Sequence, residues 1–462
     1  MKRAILFFLL LSFSGFSQNI KGVWYGEINI SGMQLGFIMH ISNENDTFKT
    51  LLDIPMQNAM GIPMSSTVFN DNELIVLSKE LGGEFKGKFS NEEFTGTFSQ
   101  NGGIYPFNMS KEVKAIKEQL RPQEPKPKFN YKIEEVTFEN KADNVKLAGT
   151  LTLPKGKGPF QAVVLVSGSG PQDRNEEILG HKSFWVLSDY LTNNGIAVLR
   201  YDDRGVGEST GDFSTGTTED FARDAKSAVD YLMGLKRINK TKVGIIGHSE
   251  GGTIAPIVAG DPRNKVGFIV MLAGTAILGS EVLVKQQKLI SIINGEDEEE
   301  VVSNSQMSIA LFQFLQENLE SESLKIDMEK FIGDYMVENN TKLPKGFSSE
   351  QMSKVLIEAY ATPWMKYFLF YDPQYAFLNT KCPVLALNGS NDLQVTPKEN
   401  LSLFKQLAER SGNENVTTIE LPGLNHLFQH CETGSPSEYG DIEETMSPEV
   451  LEIMKNWIKE LP

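Results

Sequence analysis

The sequence predicts an α/β fold, a mostly parallel sheet with helices on both faces and an inserted helical cap, preceded by a small all-β antiparallel domain. Residues 20 to 110 alternate apolar and polar side chains in short runs broken by Gly, Asn and Asp, the period-two pattern of half-buried strands. From Tyr131 onward, apolar strand-like runs alternate with amphipathic helix-like ones, which implies parallel pairing under helices. Between about residues 276 and 379 the strand signal disappears. Met, Phe and Leu recur there at helical spacing over a stretch longer than a sheet connection requires.

At 462 residues the chain is long enough for two domains, each with its own core. Apolar content of 40% and charged content of 23%, without low-complexity runs, place it among globular proteins. The 44 Lys and Arg against 60 Asp and Glu leave a net charge of -16, and no basic stripe with interleaved aromatics is present, so nucleic acid is excluded as a partner. Cys382 and Cys431 are the only cysteines, which rules out a disulfide framework or a cysteine-rich zinc site and leaves open whether the two pair. No metal and no cofactor are expected.

Taken in order, MKRAILFFLLLSFSGFSQ reads as a secretory signal peptide over residues 1–17: Lys2 and Arg3, then an apolar core, then Gly15 and Ser17 before the cut. The apolar run is too short for a membrane span and no Cys follows to carry a lipid, so the expected product starts at Gln18 and is periplasmic or secreted. Residues 18–110 form the β-rich domain, with runs such as GVWYGEINI, ELIVL, EFKGKF and FTGTF able to close a core of lipocalin-like shape. Residues 111–130, charged and with three prolines, read as a linker. Residues 131–462 form the α/β domain: strands IEEVTFEN and VKLAGTLTLP, strand AVVLVSGSG, a helix from SFWVLSDYL, strand IAVLRYDD, then a long helix. That helix has Thr217 and Asp220 at its capping end and Phe221, Ala225, Ala228, Val229 and Leu232 on one face. Strands VGIIG and VGFIVMLAG follow; after the cap come PVLALNGSND, ENLSLFKQLAER, VTTIELPG and PEVLEIMKNWIKEL.

Within KVGIIGHSEGGTIAP a strand runs into a serine flanked by Gly247, Gly251 and Gly252 and then into a helix. G-x-S-x-G alone is a weak signal, since Ser249 could equally cap the helix. The rest of the chain decides. Of five histidines, His40 lies in the β-rich domain and His181 before the first helix of the second domain. His248 adjoins Ser249 on a turn where neighbouring side chains diverge, which leaves His426 and His430 just past the last strand. Asp392, past the preceding strand, supplies the acid, although Asp also favours turns. In a parallel sheet strand C-termini gather on one edge, so Ser249, Asp392 and His426 converge there, with His430 as the alternative base. A serine hydroxyl attacks only as histidine takes its proton, and the carboxylate fixes the histidine tautomer. The oxyanion needs two backbone N–H donors, Glu250 after the nucleophile and Ser169, or next Gly170, in SGSGPQDR. Asp202, Asp203 and Arg204 read as a structural ion-pair and turn cluster. Trp364, Tyr367 and Phe368 in the cap are candidates for the pocket wall as well as for core.

Together GHSEGG, SGSGPQDR, YDDRGVGEST, PVLALNGSNDLQV and LPGLNHLFQ resemble the exported bacterial carboxylesterases of the α/β-hydrolase superfamily, the EstD type, close to the serine aminopeptidase-like hydrolases. The resemblance covers residues 131–462. It implies the α/β-hydrolase fold and metal-free ester hydrolysis by Ser249, Asp392 and His426. SGSG stands where lipase-type esterases carry HGGG, a departure that leaves the first oxyanion donor open by one residue. A small-molecule ester is the expected substrate. The competing readings are a serine aminopeptidase, which needs an acidic pocket for the substrate ammonium, a thioesterase, and a glycan- or lipid-binding module on an inactive scaffold. The complete Ser, Asp and His set argues against the last.

Overall fold

The computed structural model describes residues 20–30, 33–44, 47–54, 59–79, 82–100, 103–111, 120–343 and 348–462. The expected signal peptide and residues 112–119 of the expected linker lie outside them. In the N-terminal domain, β1 (Gly22–Ile30), β2 (Met33–Glu44), β3 (Thr47–Ile54), β4 (Ala59–Pro63), β5 (Ser66–Asn70), β6 (Glu73–Ser78), β7 (Gly83–Ser90), β8 (Glu93–Gln100) and β9 (Gly103–Ser110) form one sheet in the order β4-β3-β2-β1-β9-β8-β7-β6-β5. The hairpin turns Asp71-Asn72 and Asn91-Glu92 have positive φ at both residues, the conformation whose twist matches paired strands. The sheet curls until Thr67 of β5 hydrogen-bonds Thr50 of β3 at 2.9 Å, and it encloses Trp24, Phe85, Phe94 and Phe107. Edge-to-face rings fill this core, Trp24 on Phe94 at 4.7 Å among them.

The second domain holds β10 (Lys132–Asn140), β11 (Val145–Leu153), β12 (Phe160–Val166), the short hairpin β13 (Glu177–Ile178) and β14 (His181–Lys182), α1 (Ser183–Asn193), β15 (Ala197–Tyr201), α2 (Thr218–Gly234), β16 (Ile238–His248), α3 (Glu250–Gly260) and β17 (Phe268–Leu272). The cap follows as α4 (Gly279–Ile293), α5 (Glu298–Glu317), α6 (Leu324–Glu338), α7 (Ser349–Tyr360) and α8 (Pro363–Phe370). Then come α9 (Pro373–Asn379), β18 (Val384–Gly389), α10 (Pro397–Ser411), β19 (Val416–Leu421) and α11 (Pro448–Glu460). The sheet order is β10-β11-β15-β12-β16-β17-β18-β19, and β11 alone runs against the others. With helices on both faces and the cap between β17 and β18, this is the α/β-hydrolase arrangement.

The fully buried strand β17, FIVML, reads as an unbroken apolar run because both faces of the sheet are covered. On one face α2, α3, α9 and α10 close a core containing Ala225, Ile254, Phe377 and Phe404; on the other, α1 and α11 close a second around Leu187, Phe268 and Met454. Helix α2 starts with the capping box Thr217–Asp220 and buries the face its spacing predicts. The cap has a core of its own, built on Leu311, Phe312, Leu315, Met328 and Ile332. Helix α9 lies inside the expected cap range yet packs with the sheet, since Phe377 meets Phe404 at 4.8 Å.

Within the expected linker, Arg121 and Gln123 bond to the second domain. Arg121 donates to the carbonyls of Leu179 (3.0 Å), Gly180 (3.3 Å), Gly440 (2.9 Å) and Ile442 (2.8 Å). Gln123 donates to Met446 O at 2.7 Å and accepts from Thr445 N–H at 2.6 Å. Loop carbonyls with no ladder partner must be satisfied somehow, and a guanidinium brings five donors. A chain beginning at residue 120 is therefore expected to match the full second domain in chemical denaturation. One beginning at Phe129, or carrying Arg121→Ala, should lose about 3 kcal/mol, summing several net hydrogen bonds. Equal denaturation midpoints for the two truncations would show that these contacts contribute nothing.

Candidate active site

Strand β16 delivers Ser249 to the C-terminal edge of the sheet, and helix α3 starts one residue later. Ser249 has φ 52° and ψ -113°, a region non-glycine residues avoid. Two backbone bonds hold it there, Ser249 N–H to Leu272 O at 2.8 Å and Gly252 N–H to Ser249 O at 2.9 Å. The flanking glycines are required by contact. A Cβ on Gly247 would run into the Gly251 carbonyl, one on Gly251 into the Val166 carbonyl, and one on Gly252 would sit 2.7 Å from Gly274 Cα. The strand-to-helix turn is thus packed backbone against backbone between β12 and β17. Ser249 is partly exposed while His248 and Glu250 on either side are buried. Its hydroxyl does not cap α3.

Asp392 lies just past β18 and is buried. Its Oδ1 accepts from the Gln394 and Val395 N–H groups at 2.8 and 2.9 Å, and its Oδ2 sits 2.8 Å from His426 Nδ1. A carboxylate there places the proton on Nδ1 and leaves Nε2 as the acceptor. Asn425 shapes the His426 loop by accepting from the Leu427 and Gln429 N–H groups, both at 3.0 Å. His430 points outward and pairs with Glu444 at 2.8 Å, so Asp392 meets His426 and not His430. His181 is a buried bolt between Tyr439 O (2.8 Å) and Thr445 (3.1 Å), and burial, then the Arg121 charge, pushes it down to about 4. His40 pairs with Asp53 in the N-terminal sheet at 2.7 Å. The structure therefore joins Asp392 to His426 directly. Ser249 Oγ makes no hydrogen bond among the described residues.

The loop after β12 carries the expected oxyanion donors. Gly168 N–H is taken by Glu176 Oε1 at 2.8 Å, which moves the first free position to Ser169, followed by Gly170 at φ +90°. Glu250 opens α3, where an N–H has no carbonyl one turn back. Asp203 ties both ends of this loop, accepting from Ser167 Oγ at 2.8 Å and Gln172 N–H at 3.0 Å. Burial pushes its carboxyl well up against those bonds. Its neighbours form the expected ion-pair cluster, Asp202 with Arg174 at 2.6 Å and Arg204 with Asp224 at 2.7 Å. The Glu250 side chain points away into the protein, accepting from Thr218 Oγ1 at 2.7 Å and from Trp364 Nε1 at 2.8 Å. Burial raises its pKa while those two bonds oppose the shift.

Of the three cap aromatics, Trp364 is bound to Glu250 and stacks on Phe368 at 5.3 Å, while Tyr367 stacks on Tyr371 at 5.1 Å. Phe368 borders a cavity of about 10 Å³ with Thr218, Glu250 and Tyr371, room for one water. Sequence reasoning did not single out Glu176 or give His248 a task. Both are buried beside Ser249, 2.9 Å apart, and no local pattern links residues so distant in the chain.

The family described as X-Pro dipeptidyl-peptidase (S15 family) matches residues 143–430. Esterase EstD of Thermotoga maritima is 27% identical over 434 residues, covering 90% of this chain and 93% of EstD. Among solved structures, the hypothetical protein PA2218 from Pseudomonas aeruginosa aligns with a TM-score of 0.43 at 15% identity, over 72% of this chain and 94% of that one. The Pyrococcus furiosus esterase Pf2001 aligns with a TM-score of 0.42 at 16% identity, over 72% and 91%. Among the described residues no helix is long and apolar enough to cross a membrane.

The Glu250 contacts generate a stability prediction. Both donors reach one oxygen of Glu250, and Gln keeps that acceptor, so Glu250→Gln should hold its Tm. Glu250→Ala leaves Trp364 N–H and Thr218 O–H without an acceptor and should cost about 2 kcal/mol, with a shift in Trp fluorescence. Equal Tm for the two variants would show that these bonds do not matter.

Proposed function

The chain belongs to the X-Pro dipeptidyl-peptidase (S15) family and is a carboxylesterase-like hydrolase; from that premise we propose that it cleaves small carboxylic esters through an acyl-enzyme on Ser249. The buried His426–Asp392 pair at 2.8 Å, on the same sheet edge as an unbonded serine hydroxyl in a strained turn, carries the reading. His426 Nε2 takes the proton as Ser249 Oγ attacks the ester carbonyl, and Asp392 stabilises the imidazolium that forms. The Ser169 and Glu250 N–H groups receive the oxyanion, with Gly170 next to them as the alternative donor. The imidazolium then returns the proton to the departing alkoxide. Water, deprotonated by the same histidine, releases the acid.

Ester is favoured over peptide cleavage by two observations. EstD is named an esterase and is matched over 93% of its length. An aminopeptidase needs a free carboxylate for the substrate ammonium, whereas the two buried glutamates beside Ser249 are both engaged, Glu250 by Thr218 and Trp364 and Glu176 by Gly168 and His248.

Ser249→Ala is expected to fold normally and to lose at least about a thousandfold in kcat on p-nitrophenyl acetate, and a fluorophosphonate should label Ser249 in the parent. Wild-type turnover in the alanine variant would remove Ser249 from the mechanism. His426→Ala should lose several orders of magnitude, whereas His430→Ala should cost less than about tenfold. The reverse ranking would move the base to His430. A panel of p-nitrophenyl esters beside aminoacyl p-nitroanilides separates the two activities, and faster anilide cleavage would favour the peptidase.

A further inference from the structure

The ester reading leaves one buried ionisable pair without a task. His248 and Glu176 are 5% and 1% exposed, and His248 Nδ1 lies 2.9 Å from Glu176 Oε1. The other ring nitrogen, Nε2, lies 3.0 Å from the His426 carbonyl oxygen. A carboxylate and a carbonyl both accept, so each nitrogen must donate, and the ring satisfies both only as an imidazolium. Burial by itself pulls the imidazole down, but the Glu176 charge and bond, the His426 carbonyl and Asp392 together hold its pKa above the ordinary value. The same Glu176 oxygen also accepts the Gly168 N–H at 2.8 Å.

These contacts join three segments far apart in the chain. Gly168 directly precedes Ser169, the first proposed oxyanion donor; His248 directly precedes Ser249; and the carbonyl that His248 holds belongs to His426. The His248 and His426 rings lie 4.9 Å apart, and an ideal Cβ on Gly168 would be 3.3 Å from Ser249 Cβ and 3.5 Å from His248 Nδ1. Glu176 reaches its place with a left-handed backbone, φ 48°, another strained residue at the same spot. A buried ion pair is a poor way to gain stability, since desolvation consumes most of the attraction, so its convergence on these three segments calls for another reason.

We propose that Glu176 and His248 are positioning residues for the reaction, a carboxylate–imidazolium bridge that sets the spacing of the oxyanion loop, the nucleophile turn and the base. Neither touches substrate, because every ring nitrogen and the bridging oxygen are already bonded. The bridge holds Ser169 N–H, Ser249 and His426 in register before substrate arrives, so its effect falls on the chemical step rather than on binding. This proposal rests on the ester reading above.

The test compares Glu176→Gln, His248→Asn, His248→Gln and the Glu176→Gln/His248→Gln double variant, each assayed well below its own Tm. Asn keeps a donor near the Nδ1 position and Gln near the Nε2 position, so each retains one half of the bridge. The expected result is a kcat on p-nitrophenyl acetate lowered about 10- to 100-fold with KM within about threefold, and a matching fall in the rate of fluorophosphonate labelling at Ser249. The double variant should lose no more than the worse single one, because the pair acts as a unit. Folded variants whose kcat per labelled site stays within twofold of the parent, with only Tm reduced, would overturn the proposal, as would a loss confined to KM. Should the His248 variants fail to fold, Glu176→Gln, which keeps the bridging oxygen but removes the negative charge that the doubly donating His248 ring answers, still decides it. Absence of Ser249 labelling in the parent would instead overturn the ester reading, a distinguishable failure.

Discussion

Ser249 keeps a backbone conformation that costs energy at any residue but glycine, and the surrounding chain pays for it by close packing of main chain on main chain. The strand β16, the turn and the helix α3 approach so closely that Gly247 and Gly251 admit no side chain at all. Neighbouring strands β12 and β17 flank the turn, and Leu272 O holds the Ser249 N–H from the β17 side. Placing a hydroxyl above the edge of a sheet therefore depends on the parallel order of the central strands. The positions of Asp392 and His426 follow from the same order, since β18 and β19 end on that edge and release them there.

Around this turn, burial makes every carboxylate expensive unless it has a stated partner. Asp392 has three donors, Glu176 bridges Gly168 and His248, Asp203 clamps the loop after β12, and Glu250 is bonded to Thr218 and Trp364. Among the described residues, both buried glutamates beside Ser249 are thus engaged.

The outer parts attach through a few polar contacts. The cap has an independent apolar core, and Trp364 reaches from α8 to the carboxyl of Glu250, the residue after Ser249. Arg121 and Gln123 stitch the chain before the second domain onto loops 179–180 and 440–446, the latter downstream of His426. Strand β2 of the N-terminal domain touches the turn Pro436–Glu438 in the same region. Chain elements outside the α/β sheet thus converge on the segment that follows the proposed base.

Much of this was legible in the amino-acid order, because it depends on local periodicity and on how strands end. Period-two runs marked the N-terminal sheet, alternating strand and helix signals marked the parallel one, and the order Ser249, Asp392, His426 followed once each was seen to leave a strand at the same edge. Capping at Thr217 and Asp220 was legible for the same reason, since the partners lie three residues apart. The bridge from Glu176 to His248, the bond from Trp364 to Glu250, the docking of Arg121 and the transfer of α9 to the sheet core were not legible. Their partners stand tens to hundreds of residues apart, and no spacing rule records which buried donor meets which buried acceptor. Periodicity reports how a segment faces its own surroundings; the pairing of buried charges depends on where separate segments meet in space, and only the folded chain decides that.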